Sequence, residues 1–218
     1  MKLLSSLLLL LTTSATLCLA NEAQPNLNDP ATFQRILAEA KDIDELKKRG
    51  KKGEELYYTP DNDKPYTGWV KIMKIMGKGP HVHHLMQFKD GKLHGFDTGW
   101  HANGKMSYKT NYVNGKQHGL YTGWHENGKK ASQHNQKDGK LHGLGTGWAE
   151  NGRKRRETNH RDGKLDGLRT LWHENGKKSH ETNYKDGKQH GLLTTWDKEG
   201  NITSQSRYEN GKQVEKVK

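Results

Sequence analysis

Apolar and aromatic residues recur at a fixed interval through the second half of the chain. Trp100, Trp124, Trp148, Trp172 and Trp196 stand 24 residues apart. Asp90-Gly91-Lys92 returns at the same step as Asn114-Gly115-Lys116, Asp138-Gly139-Lys140, Asp162-Gly163-Lys164, Asp186-Gly187-Lys188 and Asn210-Gly211-Lys212. A second punctuation, Asn103-Gly104, recurs at Asn127-Gly128, Asn151-Gly152, Asn175-Gly176 and, degenerate, at Glu199-Gly200. Asn-Gly and Asp-Gly accept the positive φ of type I′ turns, so both signals predict tight hairpins with antiparallel strands. Period two puts Leu120, Thr122 and Trp124 on one face, as it does Leu144, Thr146 and Trp148, with Tyr121 and Gly123 on the other. One apolar, aromatic face and one solvated face are expected. Tryptophans a full repeat apart are too distant to stack, and Tyr112, His160, Tyr184 and Tyr208 on the intervening strands are placed to fill between them.

Upstream, Trp69 precedes Trp100 by 31 residues, which predicts a longer first hairpin with a turn at Gly77-Lys78-Gly79-Pro80. Another hairpin is expected around residues 59–63. Phe33, Ile36, Leu37, Ala40, Ile43 and Leu46 follow helical spacing behind an Asp29-Pro30 start, with Gly50 as the stop. The fold class expected is mainly β: an elongated single-layer antiparallel sheet of stacked 24-residue hairpin repeats, with an N-terminal amphipathic helix covering its first edge. The boundaries are a signal peptide over 1–20, an N-terminal segment over 21–54 with its helix at about 30–49, the repeat array over 55–212 and a basic tail over 213–218.

Composition narrows the picture. Of the 218 residues only 30% are hydrophobic, which excludes a thick core, yet six Trp, eight Tyr and only five Pro argue against disorder. Lys2, the apolar run Leu3 to Leu11 and Cys18-Leu19-Ala20 read as a cleaved secretory signal, too short to span a bilayer. Secretion or a periplasmic location follows. Cleavage after Ala20 removes Cys18, the single cysteine; the alternative is a lipoprotein with Cys18 lipidated, against which Leu17 is large for such a signal. The net charge of +12 is uneven, with 13 basic against 6 acidic residues in 91–162.

The basic residues form two rows, Lys92, Lys116, Lys140, Lys164, Lys188 and Lys212 at one set of turns and Lys105, Lys129, Arg153 and Lys177 at the other. Arg153, Lys154, Arg155 and Arg156 make the densest patch. Lys92, Lys116, Lys140, Arg153, Lys154, Arg155, Arg156 and Lys164 are therefore the candidate anion-binding residues, set against a merely solubilising surface. Trp69, Trp100, Trp124, Trp148, Trp172 and Trp196 are the candidate aromatic column, a structural spine or else a binding strip for sugar or peptide. Histidines repeat as His94, His118, His142 and His190, and as His101, His125 and His173. Successive copies lie about 10 Å apart, two strand spacings, and cannot share one zinc whose ligands sit about 2 Å from it. His81, His83 and His84 are read as solvated strand residues. No Gly-x-Ser-x-Gly, His-Glu-x-x-His, phosphate loop or cysteine nucleophile is present, so no enzyme and no cofactor are expected.

The pattern Gly-x-x-x-Gly-x-x-x-Trp-x-x-Asn-Gly-Lys, with an aromatic residue before Asp-Gly-Lys, resembles the MORN repeat variant family over roughly Tyr66 to Lys212. The resemblance implies a ribbon of stacked hairpins without a shared catalytic motif, and many bacterial members are antitoxin-like. The reading is an exported, non-enzymatic binding or scaffold module for an anionic polysaccharide, a membrane surface or a protein partner. An antitoxin or immunity protein is the alternative and a secreted hydrolase a minor one. Export makes nucleic acid an unfavoured partner.

Overall fold

A computed structural model describes residues 25–75 and 79–218. The expected signal peptide over 1–20, Cys18 with it, and the Gly77-Lys78 part of the expected first turn lie outside the described residues. Two compact units are distinguished, residues 1–35 and 36–218.

In the described part of the first unit, Asp29 starts the helix Pro30–Glu39. Its Oδ2 accepts from the Thr32 amide at 2.8 Å, and its carbonyl from the Phe33 amide at 3.0 Å. Hydrogen bonds from Thr32, its side chain first and then its amide, hold the Asp29 carboxyl below the ordinary range.

The second unit is a 16-stranded sheet in chain order. Every neighbouring pair from Gly68–Ile75 to Lys212–Lys216 is antiparallel. The expected open ribbon of stacked hairpins is the observed fold. Its repeats run Lys92–Trp100 with Met106–Val113, then Gly119–Trp124 with Lys130–Lys137, Gly143–Trp148 with Lys154–Arg161, Lys164–Trp172 with Lys178–Lys185, and Lys188–Trp196 with Ile202–Glu209.

The helix ends ten residues before the expected 49. Ile43 and Leu46 keep helical spacing but reach the core another way. Lys41–Asp42 leaves the helix to pair in parallel with Val70 and Lys71, covering part of the first strand's edge. Asp42 and Glu45 then form a capping box on the short 3-10 turn Ile43–Glu45. Lys47–Arg49 pairs with Leu56–Tyr58 in a separate two-stranded sheet.

The two turn signals also resolve into different turns. At Asp90-Gly91 and its five copies both central residues have positive φ, as type I′ requires. At Asn103-Gly104 only the glycine does. The Gly104 amide donates to the His101 carbonyl at 2.9 Å and the His101 amide to the Lys105 carbonyl at 2.8 Å, a type I turn closed by a left-handed glycine. A bulge follows each such turn, at Ser107, Ala131, Arg155, Ser179 and Thr203.

The expected single apolar and aromatic face is not what forms. Strand register places Leu168, Thr170 and Trp172 on one face, and Arg169, Leu171 and Tyr184 on the other. The tryptophans and Tyr112, His160, Tyr184 and Tyr208 thus lie on opposite faces, and the second set cannot fill between the first. Leu120, Leu144, Leu168 and Leu192 remain 37 to 49% exposed, while Thr98, Thr122, Thr170 and Thr194 are buried. The interior of the array is a threonine column whose hydroxyls meet Gln133, Glu157, Glu181 and Gln205. True apolar packing is confined to the start of the sheet, where Leu46, Val70, Met86 and Phe88 form a cluster flanked by Ile43, Tyr57, Tyr66, Ile72 and Leu93.

This distribution predicts unequal leucines. Leu85→Ala, at a fully buried position, is expected to cost about 2–5 kcal/mol. Leu144→Ala, at a half-exposed one, is expected to cost under about 1 kcal/mol. Urea midpoints of the two variants check the contrast.

Candidate functional site

With so little apolar burial, the repeats are joined along both edges of the ribbon. On the edge carrying the Asn-Gly turns, three side chains of one turn reach backbone carbonyls of the next. His101, His125 and His173 place Nε2 2.9, 3.1 and 2.9 Å from the carbonyls of Trp124, Trp148 and Trp196. Asn103, Asn127 and Asn175 donate from Nδ2 to Glu126, Glu150 and Lys198. Lys105, Lys129 and Lys177 donate to Asn127, Asn151 and Glu199. On the opposite edge each type I′ glycine amide donates to the preceding repeat, from Gly115 to Leu93 through Gly211 to Gln189. There His118 and His142 stand 3.5 and 3.6 Å from Asp138 and Asp162. His101, His125 and His173 on one edge, and His118 and His142 on the other, are thereby placed between successive repeats. Among the described residues no group of three His, Cys, Asp or Glu could hold a metal ion.

One step of the turn-edge stitching differs. Ala149 replaces the turn histidine, and Arg153 Nη1 takes the Glu174 carbonyl at 2.9 Å, the acceptor that an Asn reaches elsewhere. Beside Ala149 lies a cleft of about 550 Å³, lined by Trp148, Ala149, Arg153, Lys154 and Arg155 together with His125, His173, Glu150 and Glu174.

The pleat separates the four consecutive basic residues. Arg153 serves the turn edge. Lys154 pairs with Glu157 at 2.6 Å and lies 5.9 Å from the Trp172 ring centroid. Arg155 sits at the bulge and lines the cleft, while Arg156 opposes Gly147 on the face away from Trp148. Lys92, Lys116, Lys140 and Lys164 are all exposed but follow the type I′ turns, on the edge opposite the cleft. The structure brings Arg153, Lys154 and Arg155 together and leaves the other five apart. Lys130, Lys154 and Lys178 cover Trp148, Trp172 and Trp196 at 5.9, 5.9 and 5.8 Å. The aromatic column is thus interleaved with ammonium groups, and among the described residues no two tryptophan rings pair.

A second polar cluster has no counterpart in the sequence reading. Asp97 is 7% exposed. Tyr108 donates its hydroxyl to Asp97 Oδ1 at 2.8 Å, and His84 Nδ1 lies 3.0 Å from the same hydroxyl oxygen. Burial pushes the Asp97 carboxyl up to about 6, with the Tyr108 hydrogen bond pulling the other way. Burial and then Lys74 hold His84 below the ordinary imidazole range. His84 is 3.9 Å from Asp97, at the limit of an ion pair, and we read it as a neutral neighbour because its own surroundings disfavour the charged form. The expected solvation of His81, His83 and His84 is not found: all three are half-buried, His83 and His84 pack at 4.5 Å, and Lys74 Nζ meets His83 Nε2 at 2.9 Å. The available signal was positional, since Asp97 stands where later repeats carry Tyr121, Gly145, Arg169 and Leu193.

The architecture defines a class, the open hairpin-repeat ribbon stitched along its edges. The family profile for the MORN repeat variant matches residues 98–114, 117–138, 165–186 and 189–212, and the chain belongs to that family. Repeats of this family commonly act as non-catalytic binding or scaffold modules. The matched stretches pass over 139–164, the repeat that carries Ala149 and Arg153 to Arg156. No curated protein matches the chain significantly.

The Asp97 cluster generates a pH prediction. The folded value of about 6 lies above the ordinary 3.8. Between them the folded state keeps a proton that the unfolded state has lost, so stability falls as pH rises from about 4 to about 6 and is level above. Asp97→Asn keeps the acceptor for Tyr108 and removes the buried charge. It is expected to stabilise by about 2–3 kcal/mol at pH 7.5 and by little at pH 3.5, read from thermal melts at both values.

Proposed function

We propose that the protein is an exported binding module whose ribbon holds an anionic polysaccharide at the cleft beside Ala149. The observation that carries this reading is the one replaced stitching residue in the lining of the cleft. Ala149 replaces a stitching imidazole in the repeat where Arg153, Lys154 and Arg155 converge. Arg153 and Lys154 are engaged within the ribbon, which leaves Arg155 as the guanidinium to meet an incoming carboxylate or phosphate in a forked pair. Glu150 and Glu174 in the lining accept from sugar hydroxyls, and Trp148 gives the apolar wall that a sugar ring packs against. Export through the segment 1–20 belongs to the same reading, because the apolar run Leu3 to Leu11 precedes a small residue at Ala20.

Affinity chromatography on immobilised polygalacturonate at rising salt tests the proposal. Retention of the wild type is expected to weaken with salt, since the contacts are exposed and screened, and the double change Lys154→Gln with Arg155→Gln is expected to abolish it. Ala149→His should put an imidazole at the mouth of the cleft, restore the stitch to the Trp172 carbonyl with a gain of about 0.5–1.5 kcal/mol, and weaken retention. Equal retention of all three proteins would refute the cleft as the site.

A further inference from the structure

The strand Gly143–Trp148 carries no side chain on the face away from Trp148. Its residues there are Gly143, Gly145 and Gly147, where the preceding repeat has Tyr121 and the following ones Arg169 with Leu171 and Leu193 with Thr195. The flanking strands therefore look at each other across a bare one, two strand spacings or about 10 Å apart. His134 stands on one wall. Arg156, Thr158 and His160 stand on the other, opposite Gly147, Gly145 and Gly143. Arg156 lies across the floor, with Cγ and Nε each 3.1 Å from where a Cβ on Gly147 would sit. His134 Cβ is 3.4 Å from the corresponding point on Gly145.

The trough has an imidazole on one wall and a guanidinium with a second imidazole on the other. Tyr121 stacks on His134 at 4.6 Å, and the Gln136 amide nitrogen is 3.4 Å from His134 Nε2. From the next strand Arg169 faces Thr158 and donates to the Tyr184 hydroxyl at 3.2 Å. By alternation no carboxylate falls on this face between the strands Gly119–Trp124 and Lys164–Trp172, and no carboxylate pairs with Arg156 among the described residues. Burial first, then Arg156 and His160, holds His134 below the ordinary imidazole range; burial and then Arg156 do the same to His160. Two imidazoles and a guanidinium thus line one bare strand, near enough for Arg156 to act on both rings, with no counter-charge on that face.

We infer that His134, Arg156 and His160 form an oxyanion site on this face, taking a sulfate- or phosphate-type group either as the free ion or on an extended polymer. A doubly charged oxyanion supplies the missing counter-charge and draws a proton onto the imidazoles, so occupancy rises as pH falls below 7. The site lies on the face away from the Ala149 cleft and uses none of its side chains.

The imidazole resonances of the full-length protein, followed by NMR against pH with and without inorganic sulfate, test this. Sulfate keeps its double charge across the range. The expected result is a rise of about one unit in the apparent pKa of both His134 and His160, with sulfate bound roughly tenfold or more tightly at pH 5.5 than at 7.5. The exposed His118 and His142 should move little. Arg156→Gln should weaken binding at least about tenfold. Gly145→Leu places in the trough a side chain that Leu193 already carries at the same register, so its melting temperature should hold while sulfate binding is lost. Dextran sulfate against neutral dextran separates the two sources: tighter binding of dextran sulfate than of free sulfate marks a polymer site, and equal binding per sulfate a free-ion site. Lys154→Gln with Arg155→Gln should leave the sulfate response intact, which keeps this result independent of the cleft. Unmoved imidazoles, shifts shared equally with His118 and His142, or an unchanged response in Gly145→Leu with its fold intact would each overturn the inference.

Discussion

The hydrogen bond from one repeat's turn to the next repeat's backbone is the interaction on which the array depends. A single layer with solvent on both faces buries little apolar surface. Its inner column is threonine, not leucine, and its leucines at 120, 144, 168 and 192 stay well exposed. Lateral strand pairing supplies the ladder, but hairpins paired only through their ladders are marginal in water. The side chains at each Asn-Gly turn, and the glycine amides at each Asp-Gly or Asn-Gly tip, lock neighbouring repeats in register at both edges. Each such bond contributes on the order of 1 kcal/mol, and their repetition replaces the core that the composition does not provide.

A repeat held by stitches has an unusual freedom. Losing one stitch exposes no apolar interior, so one repeat can depart from the rest while the ribbon continues through it. The repeat around Ala149 does so twice. Its turn edge lacks the imidazole and borders a cleft, and its other face lacks side chains at Gly143, Gly145 and Gly147 and gains a trough. Anchoring falls to the start of the sheet, where Val70 and Leu85 are fully buried and Lys41–Asp42 closes part of the edge.

Much of this was legible in the residues. The 24-residue step gave the hairpins, their order and the open sheet, because turn residues with obligatory positive φ recur at fixed positions. Asp29-Pro30 marked the helix start. Its end was not legible, because Ile43 and Leu46 satisfy helical periodicity and core packing from a 3-10 turn equally well. The two faces were misjudged for a related reason. Trp148 and Leu144 looked like core residues by type, yet with no second layer to cover them Leu144 stays half-exposed and Trp148 lies beneath Lys130. Arg153 to Arg156 read as one patch in one dimension, and the pleat with its bulge at Arg155 divides them among an edge and two faces. Asp97 was missed because its burial depends on Tyr108 and His84, from flanking strands.

Native-state hydrogen exchange on a protein with one turn disabled tests the central claim most directly. His125→Ala combined with Asn127→Ala removes two of the three side-chain stitches from one turn without touching an apolar contact of the N-terminal cluster. The stitching account predicts that amides of Gly119–Trp124, Lys130–Lys137 and Gly143–Trp148 lose protection by about 1–3 kcal/mol, while those of Pro80–Lys89 and Lys92–Trp100 keep theirs. Unchanged protection across the middle repeats, or an equal loss throughout the sheet, would contradict it.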